Sequence, residues 1–320
     1  MYRIYLAVLA IVFSCACHRK LNTNVSSGTN GTNTTNDMKN GDSIYQYHDP
    51  AVHLDTRGNP MLLGIHPAED LERAPYGDWF NKNYADYTVD SATAGALRPL
   101  LKGKTFELYM GTWCGDSKRE IPRMLKILRY AGVRPGQIRL VMVDSHDSAY
   151  KQSPAHEEKG KDIHRVPDLL VYDHQQEMNR IVEEPVVSLE KDLLRIVQQD
   201  GYQPSYPGAS WLSHRLKAQP VAIADKEKLA AELKPVAHSQ ADLVSLAWLW
   251  MHMGAAEKEK AMLALEVNTI LYPAVAVSYD LMADMQVRQG HTEEARALYR
   301  KVLELQPENA KTKEKLAKLQ

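Results

Sequence analysis

The hydropathy pattern divides the chain into a mainly apolar start, a polar stretch and a long patterned body. An apolar run from Ile4 to Phe13 follows Arg3 and is succeeded by Ser14-Cys15-Ala16-Cys17. Ten helical residues rise about 15 Å, half of the roughly 30 Å of bilayer hydrocarbon, which suits an export signal (residues 1–17) and is too short for a spanning helix. From Leu21 to Ser43 the sequence is almost entirely Asn, Thr, Gly and Ser, with Val25 and Met38 as the only later apolar side chains. Such a segment buries too little surface to offset its chain entropy, so residues 18–44 are expected to form a disordered tether. As a flexible coil it would span roughly 25 to 30 Å. Between Tyr45 and Asp90, aromatic residues recur among four prolines; the spacing predicts a strand near Met61–Ile65 and a helix around Trp79–Tyr87. Thr105–Met110, Ile138–Val143 and Asp168–Tyr172 predict strands, Met178–Glu183 pairs with the last of these across a turn, and Asp116–Tyr130 and Leu189–Gln199 predict helices. The order strand, helix, strand, loop, strand, strand, helix predicts an α/β domain over 45–200. In it a mixed central sheet is flanked by helices and covered on both faces.

Residues 201–220, with Pro204, Pro207 and Pro220, are expected to form a linker, and 221–320 to form a helical domain. Pro273 and Pro307 lie 34 residues apart, as do Ala261 and Ala295, and Trp248 falls opposite Met282 in the same register. A period of this length built from two helices is similar to the tetratricopeptide repeat. Ala276–Asn309 carries the pattern best, with Gly290 at the turn between its helices; Asp242–Val275 is a poorer copy. Asp225–Leu233 and Lys311–Leu319 are expected to cap the stack. Repeats of this kind present a concave face that can take a peptide or protein partner. Trp248 and Trp250 sit at core spacing and are assigned to packing.

The rest of the composition is that of a globular chain: 320 residues, 44% hydrophobic, 25% charged, net charge -1. That balance offers no global attraction to nucleic acid. Three cysteines, two of them at positions 15 and 17, cannot make a disulfide framework, so thiol chemistry in the folded part rests on Cys114. The start of the chain resembles a bacterial lipoprotein signal, in which the first cysteine of the mature protein is acylated. Cys15, with Val12 three positions back, fits slightly better than Cys17; an ordinary cleaved secretory signal is the alternative. Both export the protein. Neither Ala16 nor His18 is the aspartate linked by this resemblance to inner-membrane retention, which points to the outer membrane of the cell envelope. His146, His156, His164 and His174 are scattered over loops without metal-ligand spacing, and no metal or cofactor is expected.

Gly111-Thr112-Trp113-Cys114-Gly115-Asp116-Ser117, set between a predicted strand and a predicted helix, places the Cys114 sulfur at a helix amino terminus. Free backbone N–H groups and the macrodipole stabilise a thiolate there, with Lys118 and Arg119 adding to the field and Asp116 opposing it if it lies close. With the Val166-Pro167-Asp168 triplet before the third strand, this pattern resembles the thioredoxin-like family. The longer strings G-T-W-C-G-D-S-K-R-E and R-I-V-E-x-P-x-x-S-L-E resemble its exported members in Bacteroidota. The resemblance implies a thioredoxin fold, a cis peptide at Pro167 beside Cys114, shielding of the sulfur by Trp113, and an open backbone edge at Val166. Gly115 and Asp116 would border the substrate.

The departures are specific. Ser117 stands where the family has its resolving cysteine, so the intramolecular dithiol cycle is closed to this chain. Leu108 stands where many members have a buried aspartate, and Leu140 where its lysine partner falls. What remains is monothiol exchange: Cys114 forms a mixed disulfide, Ser117 donates a hydrogen bond to the sulfur, and an outside thiol or the substrate's own second cysteine releases the product. The expected role is thiol-disulfide exchange, by reduction or isomerisation, on envelope proteins carrying thiols or disulfides, in support of cell redox homeostasis. The alternative is a non-catalytic scaffold whose thioredoxin-like surface and repeats bind partners.

Overall fold

The structure is a computed structural model and describes residues 53–219, 221 and 225–319. The export signal, Cys15, Cys17 and the expected tether lie outside the described residues. Strands β1 (His53–Leu54) and β2 (Pro60–Met61) pair antiparallel, and β3 (Gly64–Ile65) forms the edge of a separate five-stranded sheet. The single strand expected over 61–65 is therefore split between two sheets. Gly64, at φ +84, takes the left-handed turn that a side chain would oppose.

Helices α1 (Gly77–Asp86) and α2 (Ser91–Leu100) precede the central strand β4 (Lys104–Met110). Next come α3 (Gly115–Tyr130) and β5 (Ile138–Met142), then the hairpin β6 (Asp168–Asp173) and β7 (Gln176–Val182), and α4 (Leu189–Gln198). The strand order is β3-β5-β4-β6-β7; β4 and β5 are parallel and the other pairs antiparallel.

The alternation along β4 assigns the two faces. Phe106, Leu108 and Met110 enter one core with Phe80 of α1, Leu97 of α2, Ile121 and Leu125 of α3, and Leu193 of α4. Tyr109 points the other way, into a smaller core with Val141, Val143, Ile163, Val166 and Leu170. Both faces of the sheet are covered, as expected, but by different kinds of structure. All four helices join the core on one face, and the opposite face is covered by the 144–167 loop, because that connection between β5 and β6 is too polar and too broken by turns to form a helix.

The carboxy-terminal region is helical: α5 (Pro207–Ala218), α6 (Lys226–Leu233), α7 (Ala241–Met251), α8 (Ala255–Leu271), α9 (Ala276–Gln289), α10 (Thr292–Leu305) and α11 (Ala310–Ala317). From α7 onward each helix packs on its successor. Gly290 closes α9 in the left-handed conformation at φ +81. Within the span expected to be a linker, α5 sends Ala209, Leu212 and Leu216 into the same core as Leu246 and Trp250 of α7. Pro207 does not interrupt it, because a proline in the first turn lacks only an N–H that has no helical partner anyway. Among the described residues no helix is long and apolar enough to cross a membrane.

Candidate functional site

The end of β4 and the start of α3 hold Cys114. Its backbone is extended (φ -86, ψ 128) at the N-cap position of α3; its N–H donates to the Gly111 carbonyl at 2.9 Å, and its own carbonyl accepts from Lys118 N–H at 3.0 Å. The expected placement of the sulfur at a helix amino terminus is thus observed. The half-buried thiol donates to the Val166 carbonyl at 3.3 Å. The Val166–Pro167 peptide is cis, and the Pro167 carbonyl accepts from Glu183 N–H at 2.7 Å. The two motifs, 52 residues apart in the chain, therefore meet at the sulfur.

The neighbours of the sulfur are held by their own contacts. Trp113 packs with Cys114 against the smaller core, and its Nε1 donates to the Val143 carbonyl at 2.8 Å. Its indole lies across Gly111, where a Cβ atom would fall 2.3 Å from the ring. Ser117 is fully buried, and its Oγ accepts from Gly111 N–H at 3.3 Å. The Asp116 carboxylate is paired with Arg119 at 2.7 Å, while Gly115 has open space where a Cβ would project.

Leu108 and Leu140 are direct partners across β4 and β5, and both are buried, so an apolar contact stands at this level of the sheet. The charges lie on the opposite face. Glu107 meets Lys161 at 2.6 Å, Arg139 at 3.2 Å and the Tyr109 hydroxyl at 3.1 Å. Burial works against its charge, but the Lys161 bond and field outweigh this and hold Glu107 below the usual carboxylate range. Asp168, directly after Pro167, is completely buried; burial pushes its carboxyl up to about 7 although Arg180 lies at 3.0 Å.

Sequence reasoning missed most of the groups supplied by the 144–167 loop and the helical region. Lys151 is 5% exposed, and its Nζ donates to the His164 carbonyl at 2.5 Å. His164 is buried, with Nδ1 2.8 Å from the Ser245 hydroxyl of α7. Burial, reinforced by the charges of Lys151, Arg180 and Arg165, holds it well below the ordinary histidine value, so it is neutral. Arg165 pairs with Glu183 at 3.1 Å and stacks 4.6 Å from the Tyr206 ring; the Tyr206 hydroxyl also meets Glu183. Tyr150 lies edge-on to Trp248 of α7 at 6.4 Å. Lys151, Arg165, Tyr150 and Tyr206 had no spacing signal, because segments remote in sequence bring them together; Trp248 was read only as packing, and Glu183 fell within a quoted string.

Among the described residues no three His, Cys, Asp or Glu side chains converge to hold a metal. A surface groove of about 510 Å³ runs along Asp173, Glu177, Asn179, Arg195 and Tyr202, and none of Trp113, Cys114, Val166 and Pro167 lines it. The chain matches no family model, no curated protein and no solved structure.

Proposed function

We propose that this chain is an exported, lipid-anchored protein with a thioredoxin-like fold and a tetratricopeptide-like tail. It would carry out monothiol exchange on envelope proteins through Cys114. The observation that supports this most is the contact between the Cys114 sulfur, at the start of α3, and the carbonyl of the residue preceding cis-Pro167. A helix amino terminus favours the thiolate that the reaction needs. That thiolate attacks one sulfur of a substrate disulfide; the Cys114–substrate bond forms, the substrate S–S bond breaks, and the second substrate sulfur leaves as a thiolate. Among the described residues the Val166 N–H makes no backbone hydrogen bond, and because the residue is buried a substrate strand pairing with this edge must first displace what covers it. Ser117 cannot expel the captured substrate. Release therefore needs an outside thiol or the substrate's second cysteine, which makes isomerisation the natural outcome for substrates with several thiols.

The test is covalent capture. Incubated with a disulfide-bonded peptide and without added thiol, the wild-type chain should accumulate a mixed disulfide at Cys114, located by mass spectrometry of non-reduced digests. Cys114→Ala should form none, and an added monothiol should discharge the adduct. Absence of any adduct at Cys114, with the disulfide peptide bound but intact, would instead support the scaffold reading.

A further inference from the structure

One loop offers two carbonyls two residues apart, one bound by the Cys114 thiol and the other by a buried ammonium. The thiol donates to Val166 O at 3.3 Å; two residues upstream, the Lys151 ammonium donates to His164 O at 2.5 Å. Once the sulfur loses its proton, the Val166 carbonyl changes from acceptor to electrostatically repulsive neighbour, and a positive charge near the loop becomes valuable. Lys151 is suited to supply it. Its side chain is buried, no carboxylate comes within 4.0 Å of it among the described residues, and its backbone sits at φ +55, an uncommon conformation for a residue with a Cβ. The backbone is pinned there by Lys151 N–H to Asp144 O at 3.0 Å and Asp144 N–H to Gln152 O at 2.9 Å. The ammonium lies 4.7 Å from the Tyr150 ring, which is backed by Trp248 of α7 and by His252 at its carboxy-terminal cap.

We propose that Lys151 is a positioning residue for Cys114: a buried cation whose field stabilises the thiolate and takes the place of the charged pair that Leu108 and Leu140 cannot provide. This rests on the monothiol reading above. The groups facing Lys151 divide by sign. Burial and the Arg165 charge pull its ammonium down to about 7, while Cys114, Glu183 and Asp168 act in the opposite sense. Because coupling between two sites is reciprocal, a thiolate that favours the ammonium is favoured by it to the same degree. A buried lysine with no carboxylate partner costs stability, and a nearby anion generated in function gives that cost a use.

The experiment measures iodoacetamide alkylation of Cys114 across about pH 5 to 9 in the full chain, read on the Cys114 peptide by mass spectrometry. Lys151→Met and Lys151→Gln should alkylate roughly tenfold more slowly at neutral pH, with the rate profile displaced upward by about one pH unit. Lys151→Arg should stay near the wild-type profile. Far-ultraviolet circular dichroism identifies the folded variants. A folded uncharged variant whose profile superposes on wild type overturns the proposal, as does equal loss in all three variants, which would mark Lys151 as merely structural. The readout is separable from the capture assay: a Lys151-dependent profile without any mixed disulfide would sink monothiol exchange and leave the electrostatic coupling standing.

Discussion

Position 111 has no room for a methyl group. An added Cβ would lie 2.3 Å from Trp113 Cε2 and 2.5 Å from Nε1, so Gly111→Ala must push the indole off the Val143 carbonyl. The expected loss is about 1–3 kcal/mol, typical of overpacking a filled site. Gly115→Ala, where a Cβ meets nothing within 4 Å, is the matched control and should be near neutral. Urea midpoints of the two variants decide it; equal midpoints would show that the indole relaxes freely. At this scale the sequence pointed to the residues that meet at the sulfur but not to how they are held. Cys114 and Pro167 were identifiable because each sits in a short string. The partner of Ser117 Oγ, the Gly111 amide, follows from how the turn closes, and no spacing rule announces it.

Among the elements, α3 shows how a proline can stand inside a helix. Pro122 lacks an N–H, so the Lys118 carbonyl one turn earlier has no intrahelical donor. Asn83 of α1 fills the vacancy: its Nδ2 donates to Lys118 O at 3.1 Å and to Trp79 O at 2.9 Å, tying α1 to the helix that bears Cys114. Asn83→Leu should cost about 1–2 kcal/mol by stranding that carbonyl. An unchanged denaturation midpoint would show that the carbonyl needs no protein partner. Strands β4 to β7 and helices α1, α3 and α4 were legible because their apolar periods are long and uninterrupted. Helices α2 and α5 were not. Gly95 and Pro99 dilute the first, and Pro207 reads as a break although it occupies a first turn; what stabilises both is the core they join, not local propensity.

Across the whole molecule the 144–167 loop links the sheet to the helices, and Asp162 is its anchor. The Asp162 carboxylate accepts from Trp250 Nε1 at 2.8 Å and from the Ser213 hydroxyl at 2.6 Å, and pairs with Lys217 at 3.1 Å. Burial opposes its charge, but Lys217 and these hydrogen bonds outweigh it and depress the carboxyl. A depressed carboxyl contributes stability that is present above its ordinary value of 3.8 and is lost as pH falls through its lower folded value. Asp162→Asn should therefore cost about 1–3 kcal/mol at neutral pH and flatten the acid limb of a stability–pH curve. An acid limb identical to wild type would place the coupling elsewhere. Trp248 and Trp250 were assigned to packing from their spacing; Trp250 indeed fills the helical core, yet its ring N–H also reaches across to Asp162. Periodicity along the chain determined the mixed sheet, the helical carboxy-terminal region and the order in which they occur, because burying one face of each element is a local demand written every two or every 3.6 residues. Tertiary structure alone decided which side of the sheet the helices cover and which loop roofs the other. It also placed a buried lysine on the loop that receives the Cys114 sulfur, because contacts between distant segments are chosen by shape and charge in three dimensions and leave no period in the chain.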